Sequence, residues 1–251
     1  KATVSDRLLH HAIYRILYPF FDRRFIYDSY SCRDKKGTHK AVNRLLQLYK
    51  RASHNDKKTC WILKCDIRKF FDSIDHARLF ETVARHGVDA DTMGLIRKVV
   101  KSFNSGIPGK GLPLGNLTSQ LLVNIYMNEF DQFMKHGIKE KYYLRFADDF
   151  IVMSHDRIAL DKSLEIIRDF LNKNLLLNLH PDKVFIKTFA SGIDFLGWVN
   201  FSDHRVLRTT TKKRMLKALK NGVSPAAVAS YKGMLKHGNT YNLRRNTNME
   251  I

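Results

Sequence analysis

The sequence predicts an α+β fold, a sheet of non-consecutive strands covered by helices. Three observations carry this: amphipathic stretches at helical spacing recur from end to end, short apolar runs of strand length stand between them, and no repeat, low-complexity tract or Gly/Ser linker divides the chain. Any subdomains must therefore pack on one another rather than swing on a tether.

From Val4 to Phe21, the residues Val4, Leu8, Ala12, Ile13, Ile16, Leu17 and Phe20 recur at the spacing of one helix face, and Pro19 predicts a bend. Thr38 to Tyr49 repeats the pattern through Val42, Leu45, Leu46 and Tyr49. CWILKCDI, residues 60–67, reads as a short strand with Asp66 at its end. Asp75 is placed to cap a helix that stops near Gly87, and Asp91 to cap another running toward Phe103. Glycines and prolines break all periodicity over SGIPGKGLPLGN, residues 105–116, which is a loop. A helix follows from Thr118 to Met134 and ends at Gly137; YYLRFADDFIVM, residues 142–153, then forms two short strands around a turn at Ala147–Asp148. Asp156 to Leu175 is helical, DKVFIKTF (182–189) and IDFLGWVNF (193–201) read as strands, and the last fifty residues are helical and basic.

Composition narrows the function classes. A chain of 251 residues with 44% apolar content can bury a sizeable core, in one large domain or two smaller ones. With 44 Lys and Arg against 24 Asp and Glu, the formal charge is +20 and the pI near 9.9, which attracts polyanions: nucleic acid first, an acidic membrane surface second. Apolar runs such as LLVNIYM (121–127) fall well below the ~20 residues of a spanning helix, and nothing reads as a signal peptide. Cys32, Cys60 and Cys65 are odd in number and lack CxxC spacing, so neither a disulfide framework nor a zinc site is supported, and a reducing cytoplasm is the expected compartment. The chain opens on Lys1 directly into a helical pattern, as a piece of a longer protein does.

Chemistry enters with Asp148 and Asp149, adjacent in an apolar segment. Two unit charges ~4 Å apart repel by about 4 kcal/mol at an effective dielectric near 20, so a strand gains nothing by carrying them unpaired. Alone, the pair reads equally as an acidic turn. KCDIRKFFDSIDH, residues 64–76, shifts the balance: if the strand ending in Asp66 lies beside the hairpin, three carboxylates meet at one sheet edge. Such oxygen ligands suit Mg²⁺, and two ions about 3.5–4 Å apart activate an attacking hydroxyl and stabilise a leaving phosphate. Asp75 reads more simply as a cap, and Asp72 as a surface partner of Lys69 or Arg68.

LKCDIRKFF, GLPLGNLTSQ, RFADDFIV and IDFLGW, in this order and spacing, resemble the polymerase motifs of reverse transcriptases of the group II intron-like lineage, and most closely those of diversity-generating retroelements. DRLLHHAIYRIL (6–17), FIYDSYSCRDKKGTHKAV (25–42) and SYKGMLKHGNTYNL (230–243) are also similar to that family, so the resemblance covers nearly the whole chain. FADD alone is a weak signal; the ordered set is specific.

The resemblance implies a right-hand polymerase of fingers, palm and thumb, its palm a small antiparallel sheet flanked by helices and its thumb helical. On this reading residues 1–58 are fingers, 59–78 the first part of the palm, 79–112 a helical insertion between fingers and palm, 113–201 the rest of the palm and 202–251 the thumb. It implies Asp66, Asp148, Asp149 and the Ile67 carbonyl as ligands of two Mg²⁺ ions, with Mn²⁺ as a substitute. Phe71 is the expected steric gate against a 2′-hydroxyl, the backbone around Arg68, Lys69, Phe70 and Phe71 the expected triphosphate cradle, and Lys183 its helper and a candidate proton donor. Leu114, Gly115 and Gln120 are expected beside the incoming dNTP. Arg33, Lys35, Lys36 and Lys40 are expected at template or nucleotide, Phe146 beside the primer–template, Phe195, Leu196, Gly197 and Trp198 as the primer grip, and Lys212 and Lys213 of TTTKKRMLKALKN (209–221) along the duplex phosphates. The implied partners are an RNA template from the element's template repeat, a DNA or RNA primer, dNTPs and a small basic accessory variability protein, with no membrane.

Departures from the pattern are informative. Most of the wider lineage has Gln-Gly followed by Ser-Pro where this chain has Leu114–Gly115 and Ser119–Gln120, the form of the diversity-generating group. Leu114 cannot donate the hydrogen bonds of a Gln near the nascent base pair, so error-prone copying is expected, which the resemblance places at template adenines. Phe146 replaces a Tyr, losing one hydroxyl. The family's N-terminal fingers strands would precede Lys1 and are absent from this sequence; if the natural chain starts at Lys1, it is expected to bind dNTP poorly. Two other readings compete: a retron, group II intron-like or antiphage-defence reverse transcriptase, against which no maturase or endonuclease pattern follows the thumb, and a catalytically silent nucleic-acid-binding module, against which stands the complete Asp66, Asp148 and Asp149 set.

Overall fold

A computed structural model describes residues 3–103 and 105–247. Helix α1 (Val4–Asp22) starts in a capping box between Thr3 and Asp6 and runs on through Pro19. Helix α2 (Thr38–Ala52) precedes β1 (Trp61–Asp66), and a four-residue helix, α3 (Phe70–Ser73), follows it. Asp75 caps α4 (His76–Arg85) as expected, its side chain accepting from the Arg78 amide. The cap of α5 (Ala90–Lys101) is Asp89, not Asp91: Asp89 accepts from the Thr92 amide at 2.8 Å, while Asp91 lies in the first turn, where its charge still favours the helix dipole. Asn116 caps α6 (Leu117–Gln132), which ends in a π turn over Phe133–Gly137.

The expected hairpin forms as β2 (Tyr143–Phe146) and β3 (Asp149–Ser154), with Ala147 at φ 54° in its turn. Asp156 caps α7 (Arg157–Leu175), and β4 (Phe185–Thr188) follows a 3-10 turn at Pro181–Lys183. The run 193–201 is not one strand. It folds into β5 (Ile193–Phe195) and β6 (Trp198–Asn200) around Leu196 and Gly197, both at positive φ (52° and 87°), a turn that glycine adopts without strain. The basic C-terminal region, expected to be all helical, opens with a strand, β7 (Arg205–Leu207), paired to β6, before α8 (Thr209–Lys220), α9 (Pro225–Leu235) and α10 (Tyr241–Asn246).

The main sheet has the order β2-β3-β1-β4, antiparallel throughout. Strand alternation divides its side chains between two cores. Leu63, Cys65, Phe150 and Val152 face the layer of α1 and α4–α7, whereas Ile62, Leu144, Ile151 and Met153 face α2, the β5–β6 hairpin and the C-terminal helices. The segment around Ser29 lies along the outer edge of β2, with Tyr30 donating to the Arg145 carbonyl at 3.0 Å and Arg145 to that of Asp28 at 2.9 Å, so this edge is covered. No helix among the described residues is long and apolar enough to cross a membrane.

Candidate active site

Register decides which side chains meet. In the β1–β3 ladder Asp66 stands directly opposite Asp149, on the same sheet face, and Lys64 stands opposite Ile151 two pairs further in, on that same face. Asp148 occupies the hairpin turn, where its carbonyl accepts from the Ile67 amide at 3.3 Å, tying the turn to the end of β1. Asp66, Ile67, Asp148 and Asp149 are therefore brought to one end of the sheet.

Two ammonium groups attend these acids. Lys183 Nζ lies 3.2 and 3.3 Å from the two oxygens of Asp66, and Lys64 Nζ lies 3.0 Å from Asp149 Oδ1. Among the described residues no three His, Cys, Asp or Glu side chains close into a ready cluster around an ion. The chemistry of the donor set nevertheless fits a cation. Asp149 Oδ1 is buried and makes no aligned hydrogen bond, even toward Lys64. Burial pushes the Asp149 carboxyl up to about 7, Lys64 opposing and the Asp66 and Asp148 charges adding; burial likewise pushes Asp148 up, with Asp66 adding. Oxygen donors that resist ionisation together are those a divalent cation relieves.

A buried network missed in the sequence fixes the hairpin. Arg145 in β2 and Asp131 in α6 are fully buried and joined by two bonds, Nε to Oδ1 at 2.8 Å and Nη2 to Oδ2 at 2.6 Å. Arg145 also donates to the Ala147 carbonyl in the turn (3.0 Å) and to Ser29 Oγ (3.1 Å), and Tyr143 donates to Asp131 (2.7 Å). The signal was a lone charge in the strand YLRF. Fully satisfied pairs of this kind specify geometry more than they add stability.

Other expected residues divide. Phe71 is half-buried, its carbonyl accepting from the Leu112 amide at 2.9 Å, which docks the motif loop onto α3. Phe70 is core. The Arg68 amide is already taken by the Asn178 carbonyl at 2.9 Å, while Lys69 sits at φ 45° and leads into α3. Leu114 projects from the loop, 73% exposed, beside Gly115 at φ 90°; Gln120 is half-buried in the first turn of α6. Phe146 is half-buried at the end of β2. Phe195 and Trp198 are core, leaving the turn residues Leu196 and Gly197 toward a cavity of about 640 Å³ shared with Arg208, Thr211 and Arg214. Lys212 and Lys213 are exposed on α8.

Arg33 is a correction. Expected at the template, it is turned inward, 7% exposed, bonding Asp22 Oδ1 (2.7 Å) and the carbonyls of Asp22, Ile26 and Ser29, so it fastens the loop after α1. Lys36 and Lys40 reach backbone carbonyls of Tyr27 and Lys35 and remain beside a surface cleft with Tyr27 and Arg44.

The sequence model of the family described as reverse transcriptase (RNA-dependent DNA polymerase) matches residues 2–200. Among curated proteins the chain is 26% identical over 247 residues to protein YkfC of Escherichia coli, covering 83% of this chain and 62% of that one. It is 28% identical over 137 residues to the group II intron-encoded protein LtrA of Lactococcus lactis (53% and 22%), and 26% over 161 residues to the Pol polyprotein of the retrotransposable element R2DM of Drosophila melanogaster (56% and 15%). The chain thus spans less than two thirds of each relative. Among solved structures, apo telomerase from Candida tropicalis superposes with a TM-score of 0.62 at 12% identity, over 82% of this chain and 42% of that one. Telomerase from Candida albicans with a TWJ fragment of telomeric RNA gives 0.58 at 11%, over 87% and 41%. At such identity the likeness is one of fold, and it agrees with the right-hand polymerase arrangement.

Proposed function

The chain belongs to the reverse transcriptase (RNA-dependent DNA polymerase) family, and from that premise we propose that it copies an RNA template into DNA at the end of the sheet where Asp66, Asp148 and Asp149 meet. The observation that carries this is the register placing Asp66 opposite Asp149 with Asp148 in the adjoining turn. Asp66, Asp148, Asp149 and the Ile67 carbonyl are the proposed holders of two Mg²⁺ ions, or Mn²⁺ in their place, whose charge when bound lowers the pKa of a primer 3′-hydroxyl and steadies the leaving pyrophosphate.

This chain's own groups do the rest. The amides of Lys69, Phe70 and Phe71 take the triphosphate; that of Arg68, bonded to Asn178, supports the turn instead. The Phe71 ring lies under the sugar and selects against a 2′-hydroxyl. Lys183, exposed and paired with Asp66 from the solvent side, neutralises or protonates the departing phosphate. Leu196 and Gly197 set the primer end, and Lys212 and Lys213 track duplex phosphates. In this reading residues 1–58 act as fingers, 59–201 as palm with the 79–112 insertion, and 202–251 as thumb.

The finer assignment is to the diversity-generating type. Its support is Leu114–Gly115 with Ser119–Gln120, and the exposure of Leu114 on the loop beside α3. A basic accessory variability protein is the partner that follows. Likeness to LtrA favours a second reading, an intron-type polymerase; a neighbouring target gene with a variable repeat and a near-copy separates the two. Sequenced cDNA from the parent and from Leu114→Gln tests fidelity, with errors at template adenines expected to fall in the variant; equal error rates overturn the role of Leu114. For the activity itself, dNTP-dependent extension on RNA that stops with a chelator is expected, and failure on RNA with success on DNA redirects the template assignment.

A further inference from the structure

Lys64 stands where a strand residue ought to be apolar. Its neighbours on that sheet face include Ile62, Leu144, Ile151 and the cross-strand Phe185, all hydrophobic, with Asp66 and Asp149 only toward the strand end, and its side chain is only 12% exposed. Burying an ammonium there is unfavourable unless a counter-charge compensates it. That counter-charge is Asp149, whose Oδ1 lies 3.0 Å from Lys64 Nζ, diagonally across the β1–β3 ladder.

The second lysine of the site behaves differently. Lys183 reaches both oxygens of Asp66 from outside, with 54% of its side chain exposed, so little holds it there when a stronger cation competes. Lys64 rises from within the sheet, its stem packed among apolar side chains, and has no solvent to retreat into. It therefore engages one oxygen of Asp149 and leaves the other for the site.

We propose that Lys64 is a positioning residue: its ammonium, 3.0 Å from Oδ1 of Asp149, attracts that oxygen by charge rather than through an aligned hydrogen bond, and so turns the carboxylate to present Oδ2, together with Asp66 and Asp148, to a divalent cation. The proposal rests on the polymerase reading of the three acids, and it adds a residue that does not itself touch substrate. Without the ammonium the Asp149 carboxylate loses the charge that orients it and the ligand set loses its order; an arginine, also cationic but longer, restores part of it.

The test compares the parent with Lys64→Met and Lys64→Arg, Met being chosen because the surrounding face is already apolar. The readouts are the rise in Tm on titration with Mg²⁺ and the Mg²⁺ concentration for half-maximal primer extension. Lys64→Met is expected to raise that concentration about tenfold and to shrink the Mg²⁺-dependent rise in Tm, with KM for dNTP within about twofold and Lys64→Arg intermediate. Should Lys64→Met not fold, Lys64→Gln serves the same comparison. A normal Mg²⁺ response in the neutral variant, or a response at lower Mg²⁺, overturns the positioning role while leaving the polymerase reading intact. A parent without any Mg²⁺ response overturns the polymerase reading first, and this proposal with it.

Discussion

Asp149 is the residue whose surroundings make the sharpest demand. Its carboxyl is pushed up to about 7, chiefly by burial, from an ordinary value of 3.8. Because the folded value lies above the unfolded one, ionisation opposes folding: without metal, the group costs nothing below about pH 4, and its cost grows as pH rises to about 7. One outcome follows. Mg²⁺ binding, which needs the carboxylate, should strengthen as pH rises toward 7 and then level off, measurable by titration calorimetry. Arg145 makes the complementary case, a buried charge already satisfied. Arg145→Met leaves Asp131 buried and unpaired, at an expected cost of about 3–5 kcal/mol in urea unfolding, most of it recovered when Asp131→Leu is added.

At the scale of elements, the strands and helices were legible because periodicity and caps are local, while their pairing was not. Asp66 and the Asp148–Asp149 pair could be placed on strand ends from sequence, but their meeting depends on the β1–β3 register, which is set by the core faces of Leu63, Phe150 and Val152. Asp89 and Asp91 offered two caps two residues apart, and only the φ and ψ of the chain choose between them. FLGW carried the apolar content of a strand, and Gly197 was the single sign of the turn inside it. Lys64 and Arg145 were invisible as site residues because one lysine or arginine in an apolar strand reads as an edge position until the opposing acid is known. One element contact is testable by itself. Gly238, between α9 and α10, approaches the Trp198 ring so closely that a Cβ there would lie 2.1 Å from Trp198 Cζ3. Gly238→Ala should displace the C-terminal helices from the β5–β6 hairpin, lowering stability by about 1–3 kcal/mol and red-shifting Trp198 fluorescence.

The whole molecule pairs opposite charges at different scales. A chain of formal charge +20 carries a sheet end that gathers three acids, so on the proposed reading the same fold attracts a polyanion and offers a place for cations. A silent nucleic-acid-binding module has use for the first property and none for the second. The measurement that separates them most directly is extension of a labelled DNA primer annealed to an RNA template, with dNTPs and Mg²⁺, by the parent and Asp148→Ala side by side. Extension by the parent, reduced at least about a thousandfold in the variant while primer–template binding is kept, is the predicted result. Equal extension by both proteins, or template binding with no extension by the parent, would contradict it.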